Sequence, residues 1–330
     1  MATLVTGAAG FIGYHLAAHL LARGGEVVGI DDFNAYYDPG LKRARVAELE
    51  RIARGRLRMI AVDMADDPAL DSALNGVAID RIAHLAAQAG VRYSLSNPRA
   101  YARANMAGHL NLLEVARDRG CPMVYASSSS IYGGNATLPF RVEERADRPL
   151  SLYAATKRAD ELMSEAYAHL YRIPLTGLRF FTVYGPWGRP DMAIWLFTAA
   201  ILAGRPIELF NGGALRRDFT YIDDIVGGIV GCLDAPPADD GAPKPGGSVS
   251  PHSLYNIGNA RSEELERVVA LIEQACEREA IRVDRPMQPG DVHDTFADIS
   301  ALAADTGFTP RVTIDEGIPR FVNWYRRYRG

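Results

Sequence analysis

The sequence has few cysteines, little net charge and no apolar run long enough to cross a membrane. Its three cysteines, Cys121, Cys232 and Cys276, lie far apart and form no C-x-x-C pair, which argues against a disulfide framework and a structural zinc site. The formal net charge of −4 gives no electrostatic reason to expect nucleic acid or an anionic membrane as partner. No charged and apolar signal segment opens the chain. We therefore expect a soluble, cytoplasmic protein.

In the first half of the chain, apolar segments of strand length alternate with segments of helical length. The predicted strands are the run before Gly7 and residues 26–32, 57–64, 81–87, 123–128 and 174–185, the last running into a loop. Such alternation predicts an α/β fold with a doubly wound parallel sheet of the Rossmann type. We expect this domain at residues 1–180. A smaller C-terminal α/β lobe is expected at residues 181–330, with segments that cross between the two.

The second lobe is indicated by a less regular alternation after about Gly185. Residues 206–210 and 218–222 predict strands, whereas residues 224–234 and 262–279 predict helices. A stretch rich in proline and glycine at residues 235–252 predicts an exposed loop. We expect no chemistry from that loop.

A glycine-rich turn follows the first predicted strand. Gly7, Gly10 and Gly13 form G-x-x-G-x-x-G at the start of a helix, a shifted relative of the dinucleotide-binding fingerprint. Glycines let the backbone approach a pyrophosphate, and the helix N-terminus supplies N–H donors and the positive end of the helix dipole. Glycines also allow a helix to pack closely on a strand, so the pattern alone is weak evidence for a dinucleotide site.

The end of the second predicted strand strengthens this interpretation. Asp31 lies 18 residues after Gly13, where a carboxylate can accept hydrogen bonds from the adenosine ribose hydroxyls. The same carboxylate repels a 2′-phosphate, so the sequence predicts NAD rather than NADP as cofactor. Asp63, at the end of the third strand, can face the adenine or cap a helix.

The fifth predicted strand ends in four consecutive hydroxyls, Ser127 to Ser130, and Tyr153 and Lys157 follow on one helix face. A free tyrosine has a pKa of about 10 and is a poor base at neutral pH. A nearby ammonium and the positive nicotinamide of NAD⁺ favour the phenolate. Tyr153 can then accept a proton from a substrate alcohol while NAD⁺ accepts the hydride, and Lys157 can also hold the nicotinamide ribose. An isolated Y-x-x-x-K is usually a surface pair.

These motifs together resemble the extended short-chain dehydrogenase/reductase family, and within it the nucleotide-sugar epimerases. The resemblance covers nearly the whole chain, through TGAAGFIG, HLAAQAGVRYS, ASSSSIYG, YAATK, RFFTVYGPWGRPDMA, RDFTYIDD, YNIGN and QPGDVHDTFAD. It implies an NAD-binding Rossmann domain, a lobe for a UDP-sugar, no metal, and a homodimer built from helices at 101–119 and 151–171. It implies cofactor contacts from Gly7, Gly10, Phe11, Ile12, Gly13, Asp31, Asp32, Asn34, Asp63, Met64, Leu85, Ala86, Ala87, Gln88, Ala126, Tyr153 and Lys157.

The resemblance also assigns catalytic roles to Ser128, Tyr153 and Lys157, with Ser128 hydrogen-bonded to the reacting C4 oxygen. Asn105 is implied to support the site through a backbone bond. The implied substrate contacts are Arg92, Ser127, Ser128, Ser129, Ser130, Tyr153, Thr182, Arg189, Phe210, Arg217 and Asp291. Arg217 and Asp291 match ligands of the diphosphate and the uridine ribose, and Phe210 can flank the uracil or belong to the core. Gln288 stands where several relatives carry an arginine.

The residues before Ile131 separate the chemistries of this family. The 4,6-dehydratases carry an Asp-Glu pair there and the uronate decarboxylases a nearby Glu, whereas this chain has Ser129 and Ser130. Without an extra acid or base, the resemblance implies that a C4 ketone turns over and is reduced on its other face, which is epimerisation.

The implied substrate is a uronate because of two further residues. Thr182 replaces the Asn usual in galactose epimerases, and Arg189 can pair with a sugar carboxylate or form an ion pair between lobes. The implied reaction interconverts UDP-glucuronate and UDP-galacturonate. The alternatives are epimerisation of UDP-glucose and UDP-galactose, decarboxylation of a UDP-uronate, and a non-catalytic NAD-binding regulator.

Overall fold

The computed structural model describes residues 2–135, 137–287 and 293–329. In chain order, the strands of this part are β1 (Ala2–Thr6), β2 (Glu26–Asp31), β3 (Leu57–Ala61), β4 (Ile79–His84), β5 (Met123–Ser128), β6 (Leu175–Phe180), β7 (Thr182–Tyr184), β8 (Ile207–Phe210), β9 (Arg216–Tyr221), β10 (His252–Ile257), β11 (Ser262–Glu264) and β12 (Arg282–Arg285). The α-helices are α1 (Phe11–Ala22), α2 (Pro39–Ala53), α3 (Asp67–Leu74), α4 (Tyr93–Ser96), α5 (Pro98–Tyr101), α6 (Gly108–Arg119), α7 (Leu152–Tyr171), α8 (Ala193–Leu202), α9 (Ile222–Asp234), α10 (Leu265–Cys276), α11 (Ser300–Thr306) and α12 (Ile314–Arg329). A π-helical turn spans Ala102–Ala107, and 3₁₀ turns span Ser129–Tyr132 and Asn211–Gly213.

Seven strands form one parallel sheet in the order β10-β6-β5-β4-β1-β2-β3. All residues of β1 and β6 are buried, as expected for strands covered by helices on both faces. The chain extends from β1 to β2 and β3 on one side, and β4 returns to the other side of β1. Strand order reverses at that point, so the carboxyl ends of β1 and β4 border the crevice in which such folds bind ligands. The predicted doubly wound parallel sheet is confirmed.

The C-terminal half contributes to this sheet as well as forming structure of its own. Strand β10 pairs with β6 at one edge of the main sheet, and α9 packs against α1. Two smaller sheets, β11-β9-β7 and β12-β8, lie outside it. The division of the chain at residue 180 stays a proposal, with β10 as a segment that crosses back.

Two predicted helices differ in detail from the observed ones. Residues of the segment 262–279 first form β11, antiparallel to β9, so that α10 begins only at Leu265. The segment 101–119 begins with the π-helical turn before it continues as α6. Helices α8 and α12 have no counterpart among the predicted elements. Within the described ranges, no helix combines the length and the apolar content that a membrane crossing requires.

Candidate active site

The glycine turn between β1 and α1 has no room for side chains at its two ends. Gly7 has φ +66°, and a Cβ placed on it would lie 2.9 Å from the Cα of Ala86 on the neighbouring strand end. A Cβ on Gly13 would lie 2.1 Å from the carbonyl oxygen of Gly7. The first turn of α1 carries no acidic side chain. Its N–H groups and positive dipole end therefore suit a pyrophosphate.

A cavity of about 390 Å³ extends from this turn across the carboxyl ends of the central strands. Every residue that the sequence predicts as a cofactor contact lines it, from Gly7 to Lys157. Of the predicted substrate contacts, the cavity is also lined by Ser127, Ser128, Ser129, Ser130, Tyr153, Thr182 and Arg189. The fold thus joins the cofactor segment and most of the predicted sugar-binding residues in one continuous space.

At one end of the cavity, two acidic strand ends are already partnered. The buried carboxylate of Asp31 accepts bonds from Lys42 Nζ at 3.0 Å and from the N–H of Phe33 at 2.9 Å. Asp63 accepts a bond from the N–H of Ala65 at 2.9 Å and pairs with Arg103 at 2.8 Å. Helix α3 is capped by Asp66 rather than by Asp63, so the cap role proposed for Asp63 does not extend to that helix.

Helix α7 presents Tyr153 and Lys157 to the cavity one turn apart. Its N-cap, Ser151, accepts a bond from the N–H of Ala154 at 3.1 Å and so defines where the helix begins. The rings of Tyr153 and Tyr101 form a T-shaped pair, with centroids 6.0 Å apart. The hydroxyl of Ser128, at the end of β5, bonds to the hydroxyl of Ser130 at 3.1 Å.

Lys157 is almost fully buried and donates to Asp160 Oδ2 at 2.7 Å. Burial raises the pKa of Asp160 to about 6, although the Lys157 ammonium opposes this shift. Burial, with a smaller contribution from Lys157, lowers the pKa of nearby His84 to about 3. His84 is therefore neutral at physiological pH, and the cationic charge beside the α7 face comes from Lys157.

The hydroxyl of Ser127 does not take part in the bond between Ser128 and Ser130 but has a partner of its own. Its hydroxyl donates to Glu161 Oε1 at 2.6 Å, inside the protein. Arg179 on β6 donates to both oxygens of the same carboxylate at 2.9 and 3.1 Å, and Arg158 adds a bond at 2.7 Å. This buried cluster ties β5 and β6 to α7. The predicted contact of Ser127 with substrate stays a prediction, and its hydroxyl is engaged with Glu161.

Asn105 lies in the π-helical turn and supports the site from behind. Its side chain exchanges hydrogen bonds with the backbone of Gln88, at 2.8 Å and 3.1 Å, and donates to Thr156 on α7 at 3.0 Å. Helical irregularities of this kind are frequent at functional sites. Asn105 thus links the end of β4, which borders the cofactor space, to the helix that carries Tyr153.

At the other end of the cavity, Arg189 is held by its own loop. Its Nε and Nη2 donate to Asp191 at 3.0 Å and 2.5 Å, and Tyr36 donates to the same carboxylate at 2.9 Å. Burial alone would lower the pKa of Arg189, but the Asp191 carboxylate raises it above its ordinary value. The ion pair of Arg189 is with Asp191 in its own loop rather than between the lobes, and Arg189 lines the same cavity as Thr182.

Of the remaining predicted substrate residues, one lines a second cavity, whereas Arg92 and Phe210 line neither of the two cavities. Arg217 lines a cavity of about 170 Å³ together with Ser129, Ser130 and Thr182. The guanidinium of Arg92 lies over the ring of Phe210, 4.5 Å from its centroid. Asp291 and Gln288 lie outside the described residues.

Comparison with known proteins agrees with this geometry. The sequence model of the GDP-mannose 4,6-dehydratase family matches residues 4–321. The chain belongs to this family, among the extended short-chain dehydrogenases/reductases.

Proteins similar to the chain over its whole length include epimerases. A probable UDP-glucuronate 4-epimerase of Rhizobium meliloti is 47% identical over 100% of this chain and 98% of its own length. UDP-glucuronate 4-epimerase 3 of Arabidopsis thaliana is 44% identical over 98% of this chain and 76% of its own length. The crystal structure of UDP-glucuronic acid 4-epimerase from Bacillus cereus, in complex with UDP-glucuronic acid and NAD, superposes with a TM-score of 0.88 at 31% identity. That superposition covers 99% of this chain and 100% of the Bacillus chain.

Sequence reasoning missed three residues at or behind the cavity. Tyr36 and Lys42 line the cavity, whereas Arg45 on α2 does not line it but donates to the carbonyl of Ala9 in the glycine turn. The signal was available in α2, where the buried positions Leu41, Lys42, Arg45 and Leu49 follow helical spacing. Two cations within an apolar stripe indicate buried partners, because an unpaired charge is costly in a protein interior.

Proposed function

We propose that the protein is an NAD-dependent isomerase that epimerises C4 of UDP-glucuronate to give UDP-galacturonate, reversibly and through a transient 4-keto sugar. One observation carries the proposal: a single cavity joins the glycine turn to Ser128, Tyr153, Thr182 and Arg189. The similarity to UDP-glucuronate 4-epimerases over the whole chain supports the same reaction.

The residues around the cavity fit NAD. The glycine turn leaves its backbone N–H groups open to a pyrophosphate, because no side chain can be accommodated at Gly7 or Gly13. Asp31, with Lys42 beside it, offers a carboxylate to the adenosine ribose. Bound NAD supplies the hydride acceptor and, in the second half of the cycle, the hydride donor.

In the proposed mechanism Tyr153 holds and returns one proton. Its phenolate accepts the proton of the C4 hydroxyl during oxidation and donates it back when the ketone is reduced on the opposite face. An ammonium has three donors, and Lys157 uses one for Asp160, so two are left for the ribose hydroxyls. The Ser128 hydroxyl, at the end of β5, hydrogen-bonds the C4 oxygen. Residues of this chain thereby orient the substrate and move one proton in each direction.

The 4-keto uronate is a β-keto acid, and such acids lose CO₂ when the breaking bond is perpendicular to the carbonyl plane. We assign to Thr182 and a neighbouring serine hydroxyl the task of holding the carboxylate away from that geometry. The hydrogen bonds from Arg189 to Asp191 come from Nε and Nη2. We propose that Nη1 binds the carboxylate of the sugar. Ser129 and Ser130 provide no carboxyl group for elimination or for protonation of C5.

The nucleotide half of the substrate belongs, in this proposal, to the smaller cavity and the C-terminal lobe. Arg217 binds the diphosphate, Arg92 and Phe210 stack near the sugar or the uracil, and Asp291 binds the uridine ribose. The positive charge of Arg217 and its place beside Ser130 in the 170 Å³ cavity support the first assignment. Residues 1–180 then serve mainly NAD and residues 181–330 mainly the nucleotide sugar.

We also propose a cytoplasmic homodimer. Leu110 on α6 is 39% exposed, and Leu162 and Leu170 on α7 are 56% and 66% exposed. Apolar side chains of this size, exposed on two adjacent helices, suit a four-helix interface between two copies. The three cysteines are buried free thiols, which suits a reducing compartment.

The test is incubation of the purified protein with UDP-glucuronate without added reductant, followed by separation of UDP-galacturonate from UDP-pentose products. We expect UDP-galacturonate as the main product, and a Tyr153→Phe variant that retains NAD but loses about 10²- to 10⁴-fold in turnover. A UDP-pentose as main product would favour a decarboxylase, and turnover of UDP-galactose alone would favour a hexose epimerase. Unchanged turnover in Tyr153→Phe would contradict the mechanism.

A further inference from the structure

The loop between β7 and α8 carries Arg189, and the carbonyls just before Arg189 are held by side chains from the first two helices. His15 on α1 donates from Nε2 to the carbonyl of Pro186 at 2.8 Å. Arg45 on α2 donates to the carbonyl of Trp187 from Nε at 3.1 Å and from Nη2 at 2.6 Å, and to that of Gly188 at 3.1 Å. Three successive carbonyls of the loop are thus fixed to the cofactor half of the molecule.

Arg45 extends this connection to the cofactor turn itself. Its Nη1 donates to the carbonyl of Ala9, inside the glycine turn, at 2.9 Å and to the phenol of Tyr37 at 2.8 Å. The five hydrogen bonds account for all five N–H groups of the guanidinium; four go to three backbone carbonyls, that of Trp187 twice, and one goes to a phenol. The side chain is fully buried. One planar cation therefore joins the turn that faces NAD to the residues directly before Arg189.

Burial of this charge is expensive, which makes a purely space-filling role a poor explanation. A buried cation without a carboxylate partner loses its hydration, and an apolar residue of similar volume would often be no less stable. A lysine in its place would offer three donors from one point instead of a planar fork. The arrangement uses the one property that distinguishes arginine, the ability to fix several acceptors at set distances.

The loop needs such support because its backbone is strained. Trp187 has φ +60°, in the left-handed region that non-glycine residues seldom adopt. Backbone strain of this kind persists only where the surroundings determine the conformation, and it concentrates at functional sites. The carbonyl of the strained residue is the one that Arg45 holds with two donors.

We propose that Arg45, assisted by His15, is a positioning residue that sets the location of Arg189 relative to bound NAD. The inference rests on the function proposed above. By fixing residues 187 and 188 to the glycine turn, while His15 holds residue 186, Arg45 determines how far the carboxylate-binding guanidinium lies from the reacting C4 position. Loss of the fork then weakens binding of the uronate and loosens control over its carboxylate.

The test compares Arg45→Lys with Arg51→Lys in the NAD-loaded enzyme. Arg51 lies on the same helix but pairs with Glu48 at the surface, so its variant controls for loss of a guanidinium from α2. For Arg45→Lys we expect kcat/KM for UDP-glucuronate to fall about tenfold to a hundredfold, mainly through KM, with a larger UDP-pentose fraction. Arg51→Lys should equal the wild type. A merely structural role of Arg45 would lower the thermal midpoint without changing KM or the product ratio.

A double-mutant cycle shows whether Arg45 acts through Arg189. In an Arg189→Ala background, Arg45→Lys should cause no further rise in KM, because the group that it positions is gone. Additive effects of the two substitutions would overturn this inference but not the proposed function. An unchanged KM in Arg45→Lys, when the wild type is active, would do the same. Absence of epimerase activity in the wild type would overturn both proposals.

A second variant serves if Arg45→Lys does not fold. His15→Phe removes only the bond to Pro186 and should also raise KM. An unchanged KM in His15→Phe would overturn the inference.

Discussion

Replacement of Glu161 by Gln is the sharpest test of how the catalytic helix is attached to the sheet. The Glu161 carboxylate is fully buried and accepts bonds from Arg179, Arg158 and Ser127. Burial raises the pKa of Glu161, but the two guanidinium groups and the Ser127 hydroxyl outweigh burial, so the net pKa lies below its ordinary value. The folded state therefore gains stability from the ionised carboxylate above about pH 4.5, and loses it as the pH falls further.

The expected magnitude follows from the burial of both partners. Removing one partner of a buried ion pair costs about 3–5 kcal/mol, because the other charge remains desolvated. Unfolding entropy is about 2.1 cal/mol/K per residue, or about 0.7 kcal/mol/K for 330 residues. Glu161→Gln should therefore lower the thermal midpoint by about 4–7 °C at pH 7.

Asp160→Asn is the matched control, since Asp160 is the neighbouring buried carboxylate on the same helix. Burial raises the pKa of Asp160 to about 6, so its ionised form is disfavoured in the fold. The contribution of this group to stability is largest at acidic pH and declines as the pH rises toward about 6. The Asn variant removes a disfavoured charge but leaves the buried Lys157 ammonium without its carboxylate, so we expect its thermal midpoint at pH 7 to fall as well.

The assay is thermal unfolding of both variants at pH 7 and pH 5, with and without NAD. The loss in Glu161→Gln should be about the same at pH 5 and pH 7, whereas the loss in Asp160→Asn should be larger at pH 5 than at pH 7, because the contribution of Asp160 declines as the pH rises. A Glu161→Gln midpoint within 1 °C of the wild type would refute the view that this carboxylate holds β5 and β6 on α7. A loss in Asp160→Asn that is equal at pH 5 and pH 7 would refute the distinction between the two groups.

Three further predictions concern the cofactor, the product and the assembly. Gly13→Ala should abolish copurification of NAD, because its Cβ would lie 2.1 Å from the Gly7 carbonyl, whereas Gly227→Ala, with no atom within 4 Å, should retain it. Thr182→Ala should release UDP-pentose as well as UDP-galacturonate, as measured by product analysis. If no UDP-pentose forms, Thr182 does not hold the carboxylate. Sedimentation at micromolar concentration should show a dimer, and Leu162→Glu should shift it toward monomer; an unchanged dimer in that variant would contradict the proposed interface.

Much of the scaffold could be predicted because its signals are local. Strand β5 spans the predicted residues, and the glycine turn, Asp31 and the Tyr153 helix lie where hydrophobic periodicity and capping residues indicate them. The errors arise where a distant segment competes with local preference. Residues 262–264 read as helix, yet pairing with β9 draws them into a strand.

What the sequence determined by itself is the alternation that builds a parallel sheet, the glycines that leave space for a pyrophosphate, and the Tyr153–Lys157 spacing on one helix face. Each depends on residues within a few positions of one another. Only the tertiary structure decided that Ser127 bonds to Glu161, that Lys42 pairs with Asp31, and that Arg45 holds a loop 142 residues away. Such partners are chosen by packing between distant segments, and an ionisable side chain in the sequence carries no mark of which buried acceptor it will meet.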